Sequence, residues 1–388
     1  MIIKNADILT PRGIMVSGFV VTCGGKIAKV GSHGEFREYP TSGHEVFDAR
    51  GLTLVPGFVD IHVHGGGGHD VLEGTYEAVA AMCRAHAVHG TTSLLPTTMA
   101  ARHEDLLDAV RAVADAARRG TGGAEVLGVH LEGPWINPES RGAQALEAIR
   151  PPSVAELDRL IGESGGLVRI TTVAPELEGA CEFIEEAVAR GVRVSLGHSM
   201  ASFEEVVCAM RSGATHITHA FNAMSGLHHR RPGMVGAMLA CDELTAEAIL
   251  DGFHLHPAAV AVLHKCKGVD KLALVTDATM AACMQEGEYE LGGQRVSFAD
   301  GAVRLPDGNL AGSALTLDRA VRRAMDDLGI TLAQAVAMAS QVPARVAGVY
   351  DRKGSIENGK DADMVLIDRS GMIGATFVRG VLVHQALA

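Results

Sequence analysis

The stretch Val59-Asp60-Ile61-His62-Val63-His64-Gly65 puts two imidazoles two residues apart at the end of an apolar run. Alternate residues of an extended strand share a face, so His62 and His64 point the same way and can grip one cation. A His-x-His pair alone also occurs on ordinary surfaces. Here Glu132, His198, His219 and Asp277 each close a later strand-like run. Those runs span 57–64, 91–96, 125–132, 168–173, 192–198, 214–219, 244–251 and 271–277. Between most of them, for example over 78–89, 104–118, 181–190 and 203–211, apolar residues recur at helical spacing. The pattern predicts an α/β fold, a TIM-type (β/α)8 barrel whose active face is formed by the C-terminal strand ends. An open doubly wound sheet fits less well, because no G-x-G-x-x-G follows the first strand.

The flanks read differently. Short β-like pieces separated by glycine turns fill the first 55 residues and the last forty or so. Neither end has the apolar mass to fold alone, so segments 1–55 and 350–388 are expected to pair into one small β-sandwich domain beside a barrel over 56–349. The polar, glycine-rich segment 285–309 is expected to form a hairpin inserted after the eighth strand.

Composition narrows the function. With 388 residues, 47% of them hydrophobic, and 46 glycines, the chain can bury a large core with many tight turns. A net charge of −12 argues against nucleic acid as a partner, since duplex binding leans on clustered Lys and Arg. No apolar run is long enough for a bilayer, and the first ten residues lack a secretory pattern. The seven cysteines include no C-x-x-C pair, which fits reduced thiols. The expectation is a soluble cytoplasmic protein with no membrane partner.

If the barrel closes, His62 and His64 from strand 1, Glu132 from strand 3, His198 from strand 5, His219 from strand 6 and Asp277 from strand 8 converge. Imidazole and carboxylate together suit Zn²⁺, Fe²⁺ and similar divalent ions. A buried, hydrogen-bonded histidine is a commoner fate than a ligand for each taken singly; six at strand ends argue for a metal site. His130 and His216 are expected to be packed core residues, with strand alternation placing His216 opposite His219.

Several motifs together resemble the N-acetylglucosamine-6-phosphate deacetylases of the amidohydrolase superfamily. They are Leu131-Glu132-Gly133-Pro134-Trp135, Gly197-His198-Ser199, Thr218-His219-Ala220-Phe221-Asn222-Ala223-Met224, His229-Arg230-Arg231-Pro232-Gly233, Asp251-Gly252-Phe253-His254, Thr276-Asp277-Ala278 and Leu310-Ala311-Gly312-Ser313. The segment Gly354-Ser355-Ile356-Glu357-Asn358-Gly359-Lys360-Asp361 is similar to that superfamily's closing signature. The resemblance implies metal-dependent hydrolysis of the acetamide of N-acetylglucosamine 6-phosphate, giving glucosamine 6-phosphate and acetate. It implies Glu132, His198 and His219 around a principal metal, with His62, His64 and Asp277 at a second. The cofactor would be one or two ions of Zn, Fe, Mn or Co. Many barrel amidohydrolases bridge two metals with a carboxylated lysine, but no lysine lies between Lys29 and Lys265, which leaves Glu132 as the bridge.

By the same resemblance Asp277 is the general base and His254 hydrogen-bonds the developing oxyanion. Asn222, Ala223, Leu310, Ala311 and Gly312 would bind the sugar phosphate. Arg230, in the basic cluster His228-His229-Arg230-Arg231, would reach the phosphate across a homodimer interface. Ala143 and Gln144 would sit at the sugar, where the family usually carries Gly-Ala-His-x-Pro. Here Gln144 replaces that histidine and the proline is absent. That departure keeps open the same deacetylation on N-acetylgalactosamine 6-phosphate or another N-acetylated compound. A catalytically silent barrel used as a binding scaffold is the alternative outside enzymology.

Overall fold

The structure, a computed structural model, describes residues 1–386, so residues 387 and 388 of the expected terminal unit lie outside it. Its centre is a ring of parallel strands: β1 (Phe58–Val63), β2 (Thr91–Thr98), β3 (Val129–Glu132), β4 (Val168–Val173), β5 (Arg193–Leu196), β6 (His216–Ile217), β7 (Thr245–Ile249) and β8 (Leu272–Val275). Each pairs with the next in this order, and Glu125–Val126 extends the third-strand ladder against β2. The ring closes where the Asp277 N–H donates to His62 O and the His64 N–H to Ala278 O, both at 2.8 Å. The expected barrel is present.

Helices cover the outside. Tyr76–Ala87 begins at Thr75, whose side chain accepts from the Ala78 N–H, and Phe203–Arg211 begins with a Ser202/Glu205 capping box. In His103–Arg119, Leu106, Leu107, Val110 and Val113 recur at helical spacing and are completely buried in the core shared with the strands.

The strands end sooner than expected on the active face, for a physical reason. β5, β6 and β8 stop two residues before His198, His219 and Asp277, whose φ angles are 48°, 27° and 48°. These left-handed turns rotate the three side chains off the strand's alternating pattern and toward the barrel axis.

The chain ends build one eight-stranded sheet. Ile2–Thr10, Gly13–Cys23, Lys26–Gly31, Val46–Asp48 and Thr53–Pro56 come from the N-terminal side. Met364–Ile367, Ile373–Val378 and Val381–Gln385 come from the other end. They join where Leu54 pairs with Leu366, over a core containing Ile3, Ile8, Val20 and Phe377. The segment expected to be a hairpin is instead a three-stranded antiparallel meander of Gly287–Leu291, Gln294–Ala299 and Ala302–Arg304. Its third strand is short and follows the tight turn at Gly301, φ 78°, a glycine signal that also fits a simple loop. Among the described residues no helix is long and apolar enough to cross a membrane.

A buried lysine ties the terminal sheet to the barrel. Lys353, 2% exposed, pairs through Nζ with Glu125 at 2.6 Å, Asp361 at 3.1 Å and Asp363. Arg352 reaches the same Glu125 and Asp361 at 2.8 and 2.7 Å. Removing one partner of such a group strands buried charge. Lys353→Ala is therefore expected to destabilise the fold by about 3–5 kcal/mol in urea unfolding; a loss below about 1 kcal/mol would show the network to be solvated.

Candidate metal centre

Four imidazoles face one carboxylate at the mouth of the barrel. Glu132 Oε1 lies 3.0 Å from His219 Nε2, 3.2 Å from His198 Nε2 and 3.3 Å from His62 Nε2. Its Oε2 lies 3.4 Å from His64 Nε2. Asp277 Oδ1 completes the group, 3.1 Å from His64 Nε2 and 3.5 Å from His62 Nε2. The six residues that close strand-like runs in the sequence are thus brought together. Two sets, His62/His64/Asp277 and Glu132/His198/His219, hold their donor atoms within 4.8 Å of one another.

The donor set fits a divalent cation. His198 and His219 bring their Nε2 atoms to 3.1 Å, and His62 and His64 to 3.3 Å. Two nitrogen lone pairs face to face repel unless a cation or proton lies between them. Nitrogens on a tetrahedral zinc with bonds of about 2.0–2.1 Å stand about 3.3 Å apart, so the spacing is that of a ligand pair. The remote ring nitrogens are mostly committed. Nδ1 of His62 donates to Glu247 at 2.8 Å, that of His64 to Thr97 O at 2.9 Å and that of His198 to Ser140 O at 2.8 Å. Each leaves Nε2 free toward the centre.

The local field favours positive charge. Burial opposes a charged ring at His64, yet hydrogen bonds to Asp277 and Glu132 carry its pKa up to about 10. At His62, likewise, burial is outweighed by Glu247, Glu132 and Asp277, and the pKa stands well above the ordinary value. Burial pushes Glu132 and Asp277 toward neutrality, but the surrounding histidines hold both below the usual carboxylate range. A metal dication binding here would take the place of protons.

Polar side chains continue into the barrel below. Glu247 on β7, fully buried, is the carboxylate under His62 and lies 3.2 Å from His216 Nε2. His216 was expected to face away from His219; the left-handed turn at His219 breaks that alternation, and both face inward. His130 is a core residue as expected, with Nδ1 donating to Ile61 O at 3.0 Å and Nε2 2.8 Å from Thr172 Oγ1. Asp60 accepts from Thr276 Oγ1 at 2.6 Å, and burial raises its pKa to about 7. Sequence reasoning missed Glu247, although a single acid within Thr245-Ala246-Glu247-Ala248-Ile249 is a signal that an apolar strand should not carry.

Above the centre opens a cavity of about 820 Å³ lined by His64, Glu132, His198, His219, His254 and Asp277 at its base. Ala143, Gln144, Asn222, Ala223, Leu310 and Gly312 line it as well, as does Gln294 of the meander. Ala311 is buried just behind. Gly312, φ 57°, packs so closely that a Cβ there would lie 2.9 Å from Asp277 O. Arg230 is exposed, outside the cavity of its own chain, with Nη1 2.8 Å from His229 Nε2.

Two residues carry arrangements that spacing did not reveal. Nδ1 of His254 donates to Asp251 Oδ2 at 2.7 Å. Although burial opposes its charge, Asp251 and Asp277 raise the His254 pKa, which favours the protonated ring that can donate toward the cavity. Gln144, 2% exposed, lines the cavity, but its amide is engaged elsewhere. Its Nε2 donates to Glu132 Oε2 at 2.7 Å and its Oε1 accepts from the Ala100 N–H. It therefore braces Glu132 rather than leaving its amide to a sugar hydroxyl.

Comparison with known proteins gives a consistent set of relatives. The amidohydrolase family model matches residues 53–383. The chain is 41% identical over 329 residues to an N-acetylgalactosamine-6-phosphate deacetylase of Escherichia coli O157:H7, covering 85% of this chain and 87% of that one. It is 36% identical over 383 residues to the N-acetylglucosamine-6-phosphate deacetylase of Bacillus subtilis (strain 168), covering 98% and 96%. Among solved structures, an N-acetyl-D-glucosamine-6-phosphate deacetylase variant from Mycobacterium smegmatis, in complex with N-acetyl-D-glucosamine-6-phosphate, superposes with a TM-score of 0.91 at 32% identity over 99% of both chains.

The Gln144 contact has a measurable consequence. Gln144→Leu keeps most of the volume and removes the donor to Glu132, so zinc affinity in chelator competition is expected to fall by about 10–100-fold. Unchanged affinity would show that Glu132 is positioned without it.

Proposed function

The chain belongs to the amidohydrolase family and, within it, to the amino-sugar-phosphate deacetylases; from that premise we propose that it hydrolyses the acetamide of N-acetylglucosamine 6-phosphate to glucosamine 6-phosphate and acetate. The observation that carries the reading is the convergence of Glu132, His62, His64, His198, His219 and Asp277 beneath the cavity.

Glu132, His198 and His219 would hold one divalent ion, and His62, His64 and Asp277 a second, with Zn, Fe, Mn and Co all compatible with these ligands. Such an ion would polarise the acetamide carbonyl and make a bound water acidic near neutral pH. The remaining work falls to side chains. Asp277, ionised in the field of His62 and His64, would take the proton from the attacking water. It would then pass that proton to the amine nitrogen as the C–N bond breaks, so that one group acts as base and then as acid. His254, held by Asp251, would donate to the oxygen that gains charge.

Asn222, the Ala223 backbone and Leu310 to Gly312 would orient the sugar phosphate from the cavity wall. Arg141 is the one Arg or Lys among the cavity-lining residues, and it would meet the phosphate from the same chain. Arg230 would serve the cavity of a second copy in a homodimer; its exposure, beside Leu227 at 61% exposed, supports that arrangement. The seven free thiols support a reducing, cytoplasmic setting.

A second substrate is favoured by a specific observation. The relative at 41% identity is an N-acetylgalactosamine-6-phosphate deacetylase, and Gln144 stands where a sugar-binding histidine was expected. Acetate release by zinc- or iron-loaded protein from the two sugar phosphates and from unphosphorylated N-acetylglucosamine separates the readings. The glucosamine 6-phosphate precursor is expected to lead by about tenfold or more in kcat/KM. A lead for the galacto isomer would move the assignment to it, and no release from any of the three by metal-loaded protein would overturn the function. Asp277→Asn is expected to lower kcat by about 10²–10⁴-fold on the preferred substrate; unchanged turnover would remove Asp277 from the chemistry.

A further inference from the structure

One buried carboxylate contacts a residue of each candidate ligand set without belonging to either set. Glu247 Oε2 accepts from His62 Nδ1 at 2.8 Å and from the backbone N–H of His219 at 2.9 Å. Its Oε1 lies 3.2 Å from His216 Nε2. Both Glu247 and His216 are fully buried, so none of these three contacts is shared with solvent.

The contacts on Oε2 differ in kind. His219 offers its backbone, at the residue where the chain leaves β6 with φ 27°; Glu247 thereby holds the turn that aims this side chain at Glu132. His62 offers its ring. A carboxylate on Nδ1–H fixes the tautomer, directs Nε2 to the centre and raises the ring's basicity as a ligand. Among the described residues, His64 and His198 have only neutral carbonyl acceptors on Nδ1, and Nδ1 of His219 has no partner. Of the four imidazoles, His62 alone is backed by a charge.

His62 is also the most deeply placed of the four. It is 0% exposed, its ring packed 4.9 Å from that of His130 by centroid. Without an acceptor fixing Nδ1–H, the ring could carry its proton on Nε2 and point a donor, not a lone pair, at the cation.

We infer that Glu247 is the positioning residue that makes this a two-ion centre: it holds His62 in the tautomer and orientation that allow His62, His64 and Asp277 to bind a second cation. The inference rests on the metal-dependent reading above, and its test needs no substrate. Wild-type protein and Glu247→Gln, an isosteric change, are loaded with Zn²⁺, dialysed against metal buffers and analysed for metal per chain, with visible spectra of the Co²⁺ forms recorded alongside.

Wild type is expected to bind two ions per chain. Glu247→Gln is expected to retain the tighter ion and to bind the weaker one about 10–100-fold less tightly, with altered Co²⁺ absorption for that ion alone. Glu247→Ala is expected to hold one ion. Thermal unfolding of the metal-free proteins separates a lost site from a lost fold. Should the alanine variant not fold, Glu247→Gln carries the test. A wild type that binds one ion, two ions at wild-type affinity in Glu247→Gln, or equal weakening of both, would overturn the inference. Acetate release by a variant that keeps both ions would leave the deacetylase reading standing while this one fell.

Discussion

The centre depends on one carboxylate, Glu132, having four imidazole nitrogens within 3.4 Å. Such a group is costly to bury. Carboxylate and imidazoles are stable together out of water only if protons or a metal cation sit among them and if every remaining polar atom is satisfied. Except at His219 Nδ1, the structure meets the second condition through the layer beneath: Glu247, His216, His130, Thr172 and Asp60 form a hydrogen-bonded floor where many barrels carry aliphatic side chains. A divalent cation bound among these side chains would meet the first condition, and the deacetylase chemistry proposed here would follow from it.

The barrel supplies the convergence. Donors from β1, β3, β5, β6 and β8 are distant in sequence, and the His62–Glu247 hydrogen bond alone spans 185 residues. Parallel strands carrying their last residues to one rim bring them together. Where strict alternation would have turned a side chain away, the left-handed backbone at His198, His219 and Asp277 corrects the aim. Local conformational strain at these residues serves the geometry of the site.

Much of this was legible in the sequence. A strand-like run ending in a polar residue is a local signal, so the eight strands and six converging residues could be read directly, and the motifs led to the family. Three kinds of information were not local. That His216 and His219 both face inward depends on the backbone turn at His219. The role of Glu247 depends on a partner six strands earlier in the chain. The engagement of Gln144 with Glu132 depends on how a loop after β3 folds back, which no periodicity encodes. The meander after β8 was underread because a third short strand following Gly301 has the same turn chemistry as a loop.

The most direct measurement is anomalous diffraction at the zinc edge from crystals of the zinc-loaded protein. A peak within about 2.0–2.2 Å of a Glu132 carboxylate oxygen and of Nε2 of His198 and His219 is the expected result. Zinc bound elsewhere in the molecule, with these three side chains left free of metal, would contradict the central claim that the barrel's strand ends are gathered around a cation held by Glu132.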